Sequence, residues 1–186
     1  RLFEAGAILL GKTQMVEFAF GGAGINHHHG TPWNPWDLQE HRLPGGSSSG
    51  SGVAVSSGLT SAALGTDTGG SVRIPASFDG LVGLKPTFGR VSNAGVVPLD
   101  STLDSVGPMT RSVGDAALLY DVIRGPDGED AATLEQPIEG PSDDLNLDLT
   151  GVRLCVPREY FWEDVDAETE AAVRATAQVF AELGAN

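Results

Sequence analysis

Two serine–glycine clusters stand close together in this chain, PGGSSSGSG at 44–52 and TDTGGSVRIP at 66–75. Between them runs SGSGVAVSSGLTSAA at 49–63, a stretch of mostly small side chains. Glycine and serine are poor helix formers, but small side chains allow backbones to approach closely, so the segment is predicted to be a tightly packed helix. LGTDTGG at 64–70 is predicted to be a short strand running into a glycine turn. Ser47 and Ser71 are 24 residues apart, and a helix, strand and turn of that length bring both loops to one end of a sheet. A flexible Ser/Gly linker would not be embedded among VAV, SAAL and IPAS. A phosphate loop would need the G-x-x-x-x-G-K-[ST] spacing, which GTDTGGS lacks.

The second cluster has the makings of a reactive turn. Successive backbone N–H groups at Thr68, Gly69, Gly70 and Ser71 are predicted to form a nest able to hold an oxyanion, with glycine leaving room for a substrate carbonyl. Asp67 and Arg73 flank the turn and are expected to pair beneath it. If Ser71 is a nucleophile, its base lies elsewhere in the fold, since neither TDTGGSVRIP nor PGGSSSGSG contains a histidine.

Elsewhere the chain alternates helix and strand signals, which points to an α/β layered fold. Residues 1–5 are predicted to end a helix stopped by Gly6, and AILLGKT to follow as a buried strand. FGGAGINHHHGTPWNPWDLQEHRLPGG is predicted to be a long irregular loop, and GLVGLKPTFGRVSNAGVVPL a turn-rich segment winding over the sheet. Ser112 caps a predicted helix reaching Arg124, closed by Gly125 and Pro126. An acidic connection spans about 125–150, GVRLCVPREYF is predicted to be a strand, and 166–183 an amphipathic helix closed by Gly184.

Charge and composition exclude several functions. The net charge is −14: residues 1–126 hold ten acids and eight bases, and residues 127–186 fifteen acids and three bases. Clustered Lys and Arg, which a nucleic-acid face needs, are missing. The longest apolar run, AGAILL at 5–10, is too short to span a bilayer. The single Cys155 precludes an internal disulfide and favours a reducing, cytoplasmic setting. It is expected to be a small core residue rather than a nucleophile. His27, His28 and His29 are adjacent without a spaced acid or Cys partner, so lining a substrate pocket with Trp33 and Trp36 is favoured over a metal site.

The segment GGSSSGSGVAVSSGLTSAALGTDTGGSVRIPASFDGLVGLKPTFGRVS resembles the signature of the amidase signature family of Ser–Ser–Lys amidohydrolases. AGAILLGKTQMVEFAFG, GTPWNPWDL, LDSVGPMTRSVGDAALLYDVI and GVRLCVPREYF resemble its flanks. Ser49 stands where the family pattern has glycine. The resemblance implies an α/β fold with a mixed central β-sheet flanked by helices, of which residues 1–186 would be a partial domain. The signature would occupy about 44–90 and a strand–helix unit 151–186, with the N- and C-terminal parts of the domain outside this sequence.

It also implies roles. Ser71 would form the acyl-enzyme, and Ser47, preceded by a cis peptide bond, would relay its proton to a neutral lysine. Ser48 would bond within its loop and steady Ser47, and the turn Thr68–Ser71 would hold the oxyanion. Lys12 lies in a segment resembling the one after the family's catalytic lysine, and Lys85 matches a structural position. The catalytic lysine is therefore expected upstream of Arg1, and the 186-residue chain alone is expected to be inactive and poorly stable. The implied substrate is a small-molecule amide, hydrolysed to acid and ammonia or amine, with no metal or organic cofactor, no nucleic-acid or membrane partner, and a homodimer as the candidate assembly. The alternative is the A subunit of a glutamine-dependent aminoacyl-tRNA amidotransferase, although INHHHGTP looks more like the stand-alone amidases. A further alternative is a non-catalytic binding descendant.

Overall fold

The structure, a computed structural model, describes residues 1–133, Leu145 and residues 148–186. Part of the expected acidic connection lies outside the described residues. The chain divides into two compact units, Arg1–Asp143 and Asp144–Asn186.

The first unit is built on a sheet. Helix α1 (Ser49–Ser56) leads to β1 (Ala62–Asp67), α2 (Arg73–Asp79), β2 (Val82–Gly83), β3 (Ser105–Thr110) and α3 (Val113–Ile123). Among the described residues the strand order is β1-β3-β2, and both pairings are antiparallel. The α/β class holds, and this three-stranded slice of the sheet is paired antiparallel. Ala62 faces Thr110 and Asp67 faces Ser105. Side chains alternate faces along a strand, so Met109 and Val106, three positions apart, point to opposite sides. Met109 packs with Val72 and Ala76 of the α2 region, and Leu81 adds to that cluster. Val106 packs on a second cluster of Val91, Tyr120 and Ile123, the last two from α3. Burying both faces of β3 thus places α1 and α2 on one side and α3 on the other.

The small-residue helix is shorter than predicted. It ends at Ser56, where Gly58 takes φ 76° and the Leu59 N–H turns back to the Ala54 carbonyl at 2.9 Å. Left-handed backbone at a glycine closes a helix cheaply, which frees Ala62 and Ala63 to join the sheet. The helix predicted from Ser112 is present. The Ser112 hydroxyl accepts the Asp115 N–H, capping α3.

Three other predicted elements differ. Residues 1–5 make a hydrogen-bonded turn rather than a helix, with Gly6 at φ 86°. AILLGKT forms no strand, and Ile8, Leu9 and Leu10 are exposed, because no described strand pairs with it. Pairing, rather than apolar content, makes a strand.

In the second unit GVRLCVPREYF is likewise not a strand. It is extended enough for Val152 and Leu154 to exchange backbone hydrogen bonds with Asn186, at 2.8 and 2.7 Å. Cys155 is exposed there, not in a core. Helix α4 (Ala167–Glu182) is capped by the Asp166 carboxylate, and Gly184 takes φ 101° after it. Among the described residues no helix is long and apolar enough to cross a membrane.

Candidate active site

The two serine–glycine clusters meet. The Ser48 N–H donates to the Ser71 carbonyl at 3.1 Å, joining the loop before α1 to the turn before α2. The Gly46–Ser47 peptide bond is cis. Ser47 is fully buried, and its Oγ has no hydrogen-bond partner among the described residues. Its carbonyl accepts the Val16 N–H at 2.9 Å, and the Gln14 carbonyl accepts the Gly50 N–H at 2.8 Å. Residues 13–16 therefore lie along the serine loop as a lateral brace, further secured by a 2.8 Å hydrogen bond between Thr13 Oγ1 and Ser51 Oγ.

Ser48 reaches out of its loop rather than bonding within it. Its Oγ donates to the Thr66 carbonyl and accepts the Thr66 N–H, both at 3.3 Å. The strand-side position must stay bare, because a Cβ on Gly65 would sit 2.5 Å from Ser48 Oγ. Close approach, rather than unusual backbone, requires this glycine.

Beneath the turn, the fully buried Asp67 carboxylate gathers five donors. Gly70 N–H reaches Oδ1 at 2.7 Å, while Val72 N–H and Arg73 N–H reach Oδ2 at 3.1 and 3.3 Å. Arg73 adds a bidentate pair at 3.0 Å through Nε and Nη2. Burial is the largest influence on this carboxyl and pushes its pKa up. The Arg73 side-chain bond and the three backbone donors together outweigh it, so the pKa lies below the usual value. Arg73 is held correspondingly higher, chiefly by its hydrogen bond to Asp67.

This pairing changes the expected nest. Gly70 is among its four predicted donors, yet its N–H is committed to Asp67. The candidate donors are then Thr68, Gly69 and Ser71. Thr68 is anchored from its other side, its hydroxyl donating to the Asp104 carboxylate, which also accepts Leu99 N–H at 2.9 Å. Sequence reasoning missed Asp104. Its only signal was a second acid four residues after Asp100, and its Thr68 partner lies 36 positions away.

Among the described residues neither lysine is bonded to a serine. Lys85 Nζ donates to the Pro86 carbonyl at 2.6 Å, and Lys12 is exposed. Lys12 lines a cavity of about 630 Å³ with Gln14, Val16, Glu17, His28 and His29 among others. His28 Nε2 lies 3.4 Å from Glu17 Oε2. The cavity lies beside the brace along Ser47 and does not include either Ser47 or Ser71 in its lining. Trp33 and Trp36 do not line it either: Trp33 stacks on His41, and Trp36 Nε1 donates to the Asp79 carbonyl at 2.8 Å. Among the described residues no three His, Cys, Asp or Glu side chains gather as a metal would require.

A family model described as Amidase matches residues 1–186. The chain belongs to the amidase family. It is 48% identical over 185 residues to the A subunit of a glutamyl-tRNA(Gln) amidotransferase from Chromohalobacter salexigens, an alignment covering all of this chain and 38% of that relative. Crystal structures of two family members superpose on it. The A subunit of the glutamyl-tRNA(Gln) amidotransferase from Thermotoga maritima gives a TM-score of 0.89 at 40% identity, covering 100% of this chain and 40% of that one. The peptide amidase from Stenotrophomonas maltophilia gives 0.84 at 37% identity, covering 99% and 39%. The chain thus spans about two-fifths of the length of the amidase-family proteins it matches.

Proposed function

We propose that the full-length protein cleaves a carboxylic amide C–N bond through a seryl ester at Ser71. The observation that carries this reading is the Ser48–Ser71 backbone bond beside a buried Ser47 hydroxyl with no other partner among the described residues. In the proposed reaction Ser71 Oγ bonds to the amide carbonyl carbon. Its proton passes to Ser47 Oγ, and the Ser47 proton to a neutral lysine expected upstream of Arg1. The carbonyl oxygen, now negative, is met by N–H groups from the turn Thr68–Ser71. The C–N bond then breaks, the nitrogen leaving with the relayed proton, and water cleaves the ester to release the acid. Asp67 and Arg73 hold the turn, and Ser48 holds the two loops together.

Two settings for this chemistry differ in what the nitrogen becomes. In one, a stand-alone amidase releases it to solvent. In the other, the protein is the A subunit of a glutamine-dependent amidotransferase and passes ammonia to a partner. Identities of 45–50% to glutamyl-tRNA(Gln) amidotransferase A subunits from several bacteria favour the amidotransferase setting. Affinity purification of the tagged full-length protein from its own cells separates them. Stoichiometric co-isolation of further polypeptides with glutamine hydrolysis supports the amidotransferase reading. A single-chain species that hydrolyses other amides but not glutamine contradicts it, and size-exclusion chromatography of that species would test the homodimer.

A further inference from the structure

Asp79, the last residue of α2, is fully buried, and neither carboxylate oxygen has a hydrogen-bond partner among the described residues. The enclosure comes from this chain's own residues. A Cβ on Gly52 of α1 would collide with Asp79 Oδ2 and lie 3.2 Å from Pro75 Cβ. Trp36 packs over Gly80 and donates its indole N–H to the Asp79 carbonyl. The same face of α2 meets the start of the serine loop, where a Cβ on Gly45 would lie 2.8 Å from Pro75 Cα. Helix α2 therefore braces the 45–52 segment at both ends, with Ser47 between the braces and Ser71 just before α2 begins.

An ionised carboxylate here would be a buried charge without compensation, whereas the neutral acid is far less costly to enclose. Among the described residues, the charged groups on the surrounding elements offer no counter-ion. Helix α1 carries none. Arg73, on α2, is paired with Asp67. On the Trp36 loop, Asp37 and Glu40 are paired with Arg42, and His41 stacks on Trp33.

We infer that Asp79 is a positioning residue for the serine pair, occupying the α1–α2 joint as a neutral carboxylic acid whose ionisation withdraws support from Ser47 and Ser71. Burial raises its pKa to about 7. Because the folded chain holds this proton more tightly than the unfolded chain does, stability from this group is full below the unfolded pKa. It is lost as pH rises from about 4 to about 7.

The inference rests on the proposed reaction only for its activity readout. In the full-length protein, kcat should fall about tenfold per pH unit on the alkaline side of the transition, with KM nearly constant. Asp79→Asn, which keeps the shape and cannot ionise, should remove that limb. Infrared difference spectra of the wild-type protein should show a protonated carboxyl band at about pH 5 that disappears by about pH 9 and is absent from Asp79→Asn. That readout needs no catalysis: the band is assigned to Asp79 by its loss from the Asp79→Asn difference spectrum, and its disappearance above about pH 7 separates it from ordinary carboxyls. An Asp79→Asn profile identical to wild type, or no protonated carboxyl band in mild acid, overturns the inference. Absence of amide hydrolysis with the band present would instead count against the reaction at Ser71.

Discussion

The backbone N–H of Ser48 donates to the carbonyl of Ser71 at 3.1 Å, so two loops separated by a helix and a strand are held in one register. Everything proposed for the site depends on that register. Ser48 also clasps Thr66 in both directions, tying the loop to β1 and β1 to the turn.

Asp67→Ala removes the acceptor for three backbone N–H groups and the Arg73 guanidinium. Leaving buried backbone N–H groups without their acceptor should cost on the order of 1–3 kcal/mol of stability, read by urea denaturation. The pH dependence has a definite sign. The folded pKa of Asp67 lies below 3.8, so its stabilisation is present above the unfolded value and lost as pH falls below it. Asp67→Asn should therefore lessen the loss of stability as pH falls below about 4. Unchanged acid unfolding would show that the turn does not depend on this carboxylate.

Gly65→Ala should act on the serines without touching them. The added methyl would stand 2.5 Å from Ser48 Oγ and 2.8 Å from Ser48 Cβ, so Ser48 must move. Overpacking of this kind costs roughly 1–3 kcal/mol. We expect kcat of the full-length protein to fall more than KM rises. Wild-type kinetics in Gly65→Ala would mean that the Ser48 clasp is dispensable.

Ser47→Ala addresses the relay. If the buried hydroxyl carries the proton of Ser71, its loss should lower kcat by a factor on the order of 10² or more, with little change in KM. Circular dichroism should remain that of the wild type, since the Ser47 carbonyl still accepts the Val16 N–H. A variant with unimpaired kcat removes Ser47 from the mechanism.

Lys12 separates two positions for the base. It is exposed and lines the neighbouring cavity, and the proposed base lies upstream of Arg1. The 186-residue chain by itself should show no amide hydrolysis, and Lys12→Ala in the full-length protein should retain the reaction. Hydrolysis by the short chain that Lys12→Ala eliminates would identify Lys12 as the base.

Local chemistry was the part of the fold most legible in the sequence. Ser112 and Asp115 declare the start of α3 within four residues, and Asp166 and Gly184 bracket α4 in the same way. The Asp67–Arg73 pair was legible because both residues flank one turn. Strand β3 was not. Gly107 and Pro108 interrupt its pattern, and it is a strand because β1 and β2 pair along its two edges. AILLGKT failed in the opposite direction, since apolar content without a pairing partner leaves Ile8, Leu9 and Leu10 exposed. In the site, both serines could be read from their clusters and the family resemblance. Asp104 and Asp79 could not, because the contact that ties each to the site comes from a distant part of the chain. Thr68 is 36 positions from Asp104, and Trp36, which bonds the Asp79 carbonyl, is 43 positions away.

Covalent labelling tests directly whether Ser71 forms the acyl intermediate. Treat the full-length protein with a fluorophosphonate, digest it, and locate the adduct by mass spectrometry. One adduct is expected, on Ser71, with none in Ser71→Ala and a wild-type melting temperature for that variant. An adduct that persists in Ser71→Ala, or that maps to another serine in the wild-type protein, would contradict it.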